Sequence, residues 1–141
     1  MKNMKVNESS KTEKFKDPTD PQYVGPGTWN VIHRLAFCAN TKDKQKIFIY
    51  DMREICKGFP CKNCVQHCSK YIEDNPLEVC IGVVTEMNGE KKQLGMFIWT
   101  WKFHNIVNAR LNKPYMTWDT AYNMYSHENS LVCSQECLNS N

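Results

Sequence analysis

The chain has 141 residues, the size of one ordinary domain, and its 18 Lys plus Arg stand against 15 Asp plus Glu. A net charge of +3 is too near balance for a dedicated nucleic-acid binder, and no apolar run predicts a membrane span or a secretory signal. Eight cysteines, about 6% of the chain, are fewer than a small disulfide scaffold carries and too many to ignore.

Residues 1–22, MKNMKVNESSKTEKFKDPTDPQ, hold only Met1, Met4, Val6 and Phe15 as sizeable apolar groups. Burying so little does not offset the entropy of ordering, so this stretch is predicted to be a disordered, weakly basic arm. The ordered domain is then expected over 23–128. Pro26 and Gly27 close the arm, and Thr28 is placed as the N-cap of a first helix. In it Trp29, Ile32, Leu35, Ala36 and Ala39 recur at helical spacing. A second helix over 42–57 puts Phe48, Met52, Ile55 and Cys56 on one stripe. Gly58 is placed as its C-terminal cap, and Pro60 suits the first turn of a third helix over 61–73.

Residues 77–93 contain a β-branched run over 79–84 and a Met87-Asn88-Gly89-Glu90 turn. They are read as an insertion between helices that carries a small hairpin. A fourth helix is expected over 95–111 and a shorter fifth over 117–127. A flexible tail over 129–141 carries Cys133 and Cys137 in a polar setting. Four main helices with short connections predict an all-α fold, a four-helix bundle with a short fifth helix.

Phe59-Pro60-Cys61-Lys62-Asn63-Cys64 carries the most local chemistry. Two cysteines three apart at a helix start can close a small disulfide, and the helix N-terminus favours thiolate at Cys61. A redox-active pair is one reading; half a zinc site and two buried cysteines are the others. Structural zinc needs four ligands. Cys61, Cys64, His67 and Cys68 on one short helix are poorly placed to surround a metal, and Cys133 and Cys137 are distant. A thioredoxin-like domain would need its CxxC directly after a strand, and here some ten polar-rich residues intervene after Ile47–Tyr50.

Trp29 and His33 share a face of the first helix, as do His104 and Asn108 on the fourth, with Trp101 close by. Two asparagines in mid-helix, Asn105 and Asn108, suggest side chains with partners. Taken singly, aromatic stripes are usually core and a lone histidine is usually a satisfied interior group. Beside a redox dithiol they acquire a use, because a dithiol to be oxidised needs an acceptor that indoles and imidazoles can stack against.

With those residues in view, the sequence resembles the Erv/ALR family of FAD-linked sulfhydryl oxidases. Three blocks carry the match: Val24-Gly-Pro-Gly-Thr-Trp29-Asn-Val-Ile-His33, Phe59-Pro-Cys61-Lys-Asn-Cys64-Val-Gln-His67, and Trp99 through His104-Asn-Ile-Val-Asn108-Ala-Arg-Leu-Asn-Lys113-Pro114. The resemblance covers 24 to about 126. It implies FAD at the mouth of the bundle, with Gly25, Thr28, Trp29 and His33 in a first binding stretch. Trp99, His104, Asn105, Val107, Asn108, Leu111 and Lys113 form the second, Lys113 near the phosphates, and Tyr125 sets an aromatic ring against the cofactor.

The resemblance also assigns Cys64 to pass electrons to the flavin and Cys61 to meet incoming thiolates as a mixed disulfide. Molecular oxygen then accepts the electrons and hydrogen peroxide is released. The implied partners are dithiol protein substrates, a thioredoxin-like carrier among them, and a second copy in a homodimer through the first two helices. Family members often tie the fifth helix with a disulfide just after the Lys-Pro pair; here Trp118 stands in that region. That departure, and the 77–93 insertion, look like the compact enzymes of large DNA viruses, acting in the host cytoplasm or virion. Cys133 and Cys137 are expected to act as a shuttle pair, and Cys38, Cys56 and Cys80 to be buried or structural, with Cys68 unassigned. The alternative of a different class is a zinc-stabilised module without catalysis.

Overall fold

Asp20 opens the first helix: its backbone is extended and its carboxylate accepts the Gln22 N–H at 2.9 Å. This satisfies one of the orphan donors of the first turn. The computed structural model describes residues 15–127. Most of the predicted arm and the predicted tail, with Cys133 and Cys137, lie outside the described residues.

Helix α1 (Pro21–Cys38) therefore begins well before the expected cap at Thr28. Pro26 lies inside the helix, and Thr28 is a mid-helix residue whose hydroxyl donates to the Val24 carbonyl at 2.7 Å. The bond that Pro26 cannot donate would have gone to Gln22, in the exposed first turn, so the local cost is small. Helix α2 (Lys42–Gly58) is capped by Thr41, whose side chain accepts the Lys44 N–H. Gly58 is its last residue and Phe59 the C-cap, one position later than expected. Helix α3 (Lys62–Asp74) is capped by Cys61 itself, which leaves Pro60 ahead of the cap and outside the first turn.

The insertion holds a 3-10 turn (Leu77–Cys80) and a hairpin of β1 (Val84–Met87) and β2 (Glu90–Gln93). Val84 pairs with Gln93 and Met87 with Glu90. Asn88 and Gly89 close it with φ of +51° and +80°, the two positive values a tight primed turn requires. Helix α4 (Gly95–Arg110) follows at once. A Cβ on Gly95 would stand 2.3 Å from the Cys80 carbonyl oxygen, so only glycine lets α4 start against the 3-10 turn. Helix α5 (Trp118–Tyr125) is capped by Thr117.

Helix α1 packs on α4 and α2 on α3, with α1 also against α2 and α5 lying on α1. Phe97, Met52, Leu77, Leu94 and Met96 are fully buried between them. Gln45 ties the insertion to the bundle from the interior. Its amide donates to the Ala39 carbonyl and to Gln93 Oε1, both at 3.1 Å, and accepts the Gly82 N–H at 2.9 Å. Among the described residues the only disulfide is Cys61–Cys64, so none reaches α5. Aromatic contacts hold that helix instead: Trp118 lies 5.5 Å from Phe97 and 5.4 Å from Trp101, ring to ring. Such pairs contribute about 0.5–1.5 kcal/mol each beyond the area they bury. Arg34 adds a hydrogen bond to the Tyr125 carbonyl, and the Tyr125 hydroxyl donates to Asn30 Oδ1 at 2.9 Å.

Candidate redox and cofactor site

Cys61 and Cys64 are joined as a disulfide at the start of α3, their Cα atoms 5.2 Å apart. As N-cap, Cys61 turns its sulfur toward the Cys64 N–H at 3.2 Å. When the bond is broken, that N–H and the positive end of the helix stabilise a thiolate on Cys61. The two cysteines differ in the spaces they line. Cys61 lines an outer cleft of about 500 Å³ together with Lys57, Phe59, Pro60, Lys62, Val65 and Gln66. It also lines a larger inner cavity of about 980 Å³, and Cys64 lines only that one.

The inner cavity is at the upper end of the size range of small-molecule sites, about 300–1,000 Å³. Of the residues expected to hold a cofactor, Gly25, Thr28, Trp29, His104, Val107, Asn108, Leu111, Lys113 and Tyr125 line it. His33, Trp99 and Asn105 do not. Trp99 is buried one turn before Phe103 on α4, where its indole N–H donates to the Asn75 carbonyl at 2.9 Å and its ring packs on Tyr71. Asn105 grips a loop: its side chain donates to the Met116 carbonyl and accepts the Met116 N–H, each at 2.9 Å. The Trp101 indole donates to the same carbonyl at 2.8 Å. Together they fix the turn after α4 that carries Lys113.

His33 is fully buried and acts one layer back. Its Nδ1 lies 3.0 Å from Thr100 Oγ1, and its Nε2 lies 2.7 Å from His104 Nδ1. The Thr100 hydroxyl donates to the Phe97 carbonyl at 2.8 Å, so toward His33 it accepts. One arrangement gives every contact a proton: His33 Nδ1–H donates to Thr100, and His104 Nδ1–H donates to His33 Nε2. This leaves His104 Nε2 as an acceptor. Burial, with His104 adding its charge, pushes the His33 pKa down to about 3. Burial and then the Lys113 charge push His104 down to about 4. Both rings are therefore neutral at physiological pH, as the chain of donors requires. The Trp29 indole stacks on His104, centroids 4.0 Å apart and planes 5° apart.

Several residues that line the cavity were absent from the sequence expectations, among them Met52, Ile55, Cys56, Cys68, Phe103, Arg110 and Met116. Cys68 and Arg110 had a signal, since each lies one helical turn beyond an expected site residue. Met52, Ile55 and Cys56 sat on the expected stripe of α2, but a stripe does not separate core from cavity wall. Arg110 and Lys113 put two cations on the cavity wall, and indole, imidazole and phenol rings put flat faces along it. This combination suits a flat, anionic cofactor.

The Erv1 / Alr family model matches residues 26–127. The FAD-linked sulfhydryl oxidase of African swine fever virus is 33% identical over 105 residues, spanning 72% of this chain and 78% of that protein. The mitochondrial FAD-linked sulfhydryl oxidase ERV1 of Saccharomyces cerevisiae is 30% identical over 108 residues, 74% of this chain and 51% of that one. Among solved structures, the yeast Erv1 core superposes with a TM-score of 0.64 at 20% identity, covering 85% of this chain and 95% of that one. At that identity the likeness is one of fold.

Proposed function

The chain belongs to the Erv1/Alr family and is an FAD-linked sulfhydryl oxidase, and from that premise we propose that it forms disulfides in protein substrates with molecular oxygen as final acceptor. One observation carries the reading. Cys61 lines both the outer cleft and the inner cavity, while Cys64 lines the cavity alone. The disulfide thus bridges a place where a substrate thiol can arrive and a place where electrons can leave.

A substrate thiolate attacks Cys61 Sγ, the Cys61–Cys64 bond breaks, and Cys64 leaves as thiolate. The second substrate thiol then attacks the substrate sulfur bound to Cys61, the substrate disulfide forms, and Cys61 leaves as thiolate. Two electrons and two protons have passed to the pair, and Cys64 is the member that lines the cavity alone. FAD, when bound there, supplies the two-electron acceptor and the reaction with oxygen that yields hydrogen peroxide. The residues present fit that group. Trp29, Tyr125 and the neutral His104 offer ring faces and an acceptor, and Arg110 and Lys113 oppose a diphosphate. Asn105 holds the Lys113 loop through Met116.

The oxidase domain is taken as 23–128, extended to Pro21 by α1, and the segments on either side serve substrate delivery. Cys133 and Cys137, outside the described residues, act as a shuttle between substrate and Cys61 at high effective concentration. A thioredoxin-like carrier is the substrate class we favour. Homodimerisation is supported by Val31 and Leu35 on α1 and Ile47 and Tyr50 on α2, large apolar side chains that are exposed. The viral relative supports action in the host cytoplasm or virion.

The purified protein should be yellow, release FAD on denaturation, and consume oxygen with a dithiol while producing an equal amount of peroxide. Cys64→Ser should abolish oxygen consumption; wild-type rates in that variant would end the mechanism. A colourless preparation with one zinc per chain would overturn the cofactor assignment. Replacing Cys133 and Cys137 by Ser should slow oxidation of protein substrates and spare small dithiols, and equal rates on proteins would remove the shuttle.

A further inference from the structure

Two more cysteines meet between α2 and α3. Cys56 and Cys68 are 4% and 7% exposed, both are free, and each shifts the other's titration. Cys68 follows Cys64 by four residues on α3, so the two sit on one face about 6 Å apart along the axis. Cys56 spans those two turns from α2. Its Sγ lies 3.9 Å from the carbonyl oxygen of Val65, next to Cys64, and 3.8 Å from Oγ of Ser69, next to Cys68. Cys56, Cys61, Cys64 and Cys68 all line the same cavity. Among the described residues no group of three or more His, Cys, Asp or Glu side chains is placed to hold a metal ion.

Two buried thiols packed beside a disulfide are the reactants of thiol–disulfide exchange. We propose that Cys56 and Cys68 are a second redox couple of this protein, an internal dithiol that exchanges with the Cys61–Cys64 disulfide and becomes a disulfide joining α2 to α3. The Cys56 thiolate attacks Cys64 Sγ; the Cys61–Cys64 bond breaks, a Cys56–Cys64 bond forms, and Cys61 leaves as thiolate. Cys68 then attacks Cys56 Sγ as its thiol gives up its proton, and Cys64 leaves as thiolate. Cys56 and Cys68 lose two electrons and two protons, and Cys61 and Cys64 gain them and end as thiols. No oxidant beyond the Cys61–Cys64 disulfide enters the exchange, so the step does not depend on the cofactor assignment.

The order of attack follows from the surroundings. The neighbouring Cys68 thiol, with Ser69 and the nearby Lys57, outweighs burial and brings the Cys56 pKa down to about 7. Its closeness to Cys56, together with burial, pushes Cys68 up. Cys56 is thus the thiolate near neutral pH, and Cys68 is the reserve that resolves it.

The test uses the full chain, reduced with a phosphine, freed of reductant, and reoxidised anaerobically with glutathione disulfide. Acid quenching, alkylation and peptide mapping then locate the bonds. In the wild type a Cys56–Cys68 link should form alongside Cys61–Cys64, and in Cys61→Ser/Cys64→Ser it should form at least ten-fold more slowly. In Cys68→Ser a Cys56–Cys64 bond should accumulate. Cys56 and Cys68 both alkylated once Cys61–Cys64 has fully re-formed in the wild type would overturn the proposal. So would equal rates of Cys56–Cys68 formation with and without Cys61 and Cys64.

Discussion

His33 is fully buried and neutral, held between the Thr100 hydroxyl and His104, and lowering the pH from 7 to 5 works directly against that state. An unfolded chain protonates this imidazole near its ordinary value of 6.5, whereas in the fold burial holds it down to about 3. Between those values the unfolded state binds more protons, so stability falls as the pH falls. At pH 5 the loss from His33 alone is about 2 kcal/mol. His104, lowered to about 4, adds to it with the same sign, by less because it is partly exposed. Asp17 and Glu78, whose pKa values are lowered, lose their charge below this window and do not contribute. Urea unfolding at both pH values, with FAD in fixed excess, reads the effect. His33→Gln supplies a comparison whose side chain cannot titrate. The wild type should lose about 2 kcal/mol more than this variant between pH 7 and 5. Equal losses, or a gain in the wild type on acidification, would refute the assignment of a buried neutral His33.

Gly95→Ala should cost about 3 kcal/mol, since its Cβ would meet the Cys80 carbonyl oxygen at 2.3 Å, and an unchanged thermal midpoint would show that the 3-10 turn yields freely. Gln45→Leu should cost about 2–3 kcal/mol in denaturant unfolding, because the Ala39 carbonyl and the Gly82 N–H lose their partner in the interior. A neutral result there would mean that water replaces the amide. Asn105→Ala should weaken FAD binding about ten-fold by releasing Met116 and the Lys113 loop, at a cost of about 1.4 kcal/mol. An unchanged dissociation constant in a fluorescence titration would remove Asn105 from the positioning of that loop.

Helices α2 to α5 were legible because their signals are local. Apolar spacing and the breaks at Asn75-Pro76 and Lys113-Pro114 each act within a turn or two, whereas the caps at Cys61 and Thr117 came only with the structure. The hairpin was legible from Asn88-Gly89 for the same reason. The start of α1 was not. Gly25-Pro26-Gly27 reads as a breaker, yet only one hydrogen bond is lost, toward the exposed Gln22, while Asp20 offers a cap upstream. The CxxC spacing offered redox chemistry as one reading beside half a zinc site and two buried cysteines. The meeting of Cys56 with Cys68 depends on how α2 and α3 pack, and cysteines twelve positions apart on different helices carry no sequence mark of that.

The same limit separates the cofactor motif into layers. Helical spacing correctly places Trp29 with His33 on one face and His104 with Asn108 on another, but it cannot say how deep each side chain ends. Thr100 and His104 stand one turn apart on α4, and His33 reaches across from α1 to sit between them. A histidine there cannot touch what the cavity holds; it decides which nitrogen of His104 keeps its lone pair. The hydroxyl of Thr100, already donating to the Phe97 carbonyl, fixes that choice from two rings away. Of Trp29, His33 and His104, two line the cavity and stack on each other and the third sits behind them against His104, a division that the α1–α4 packing sets.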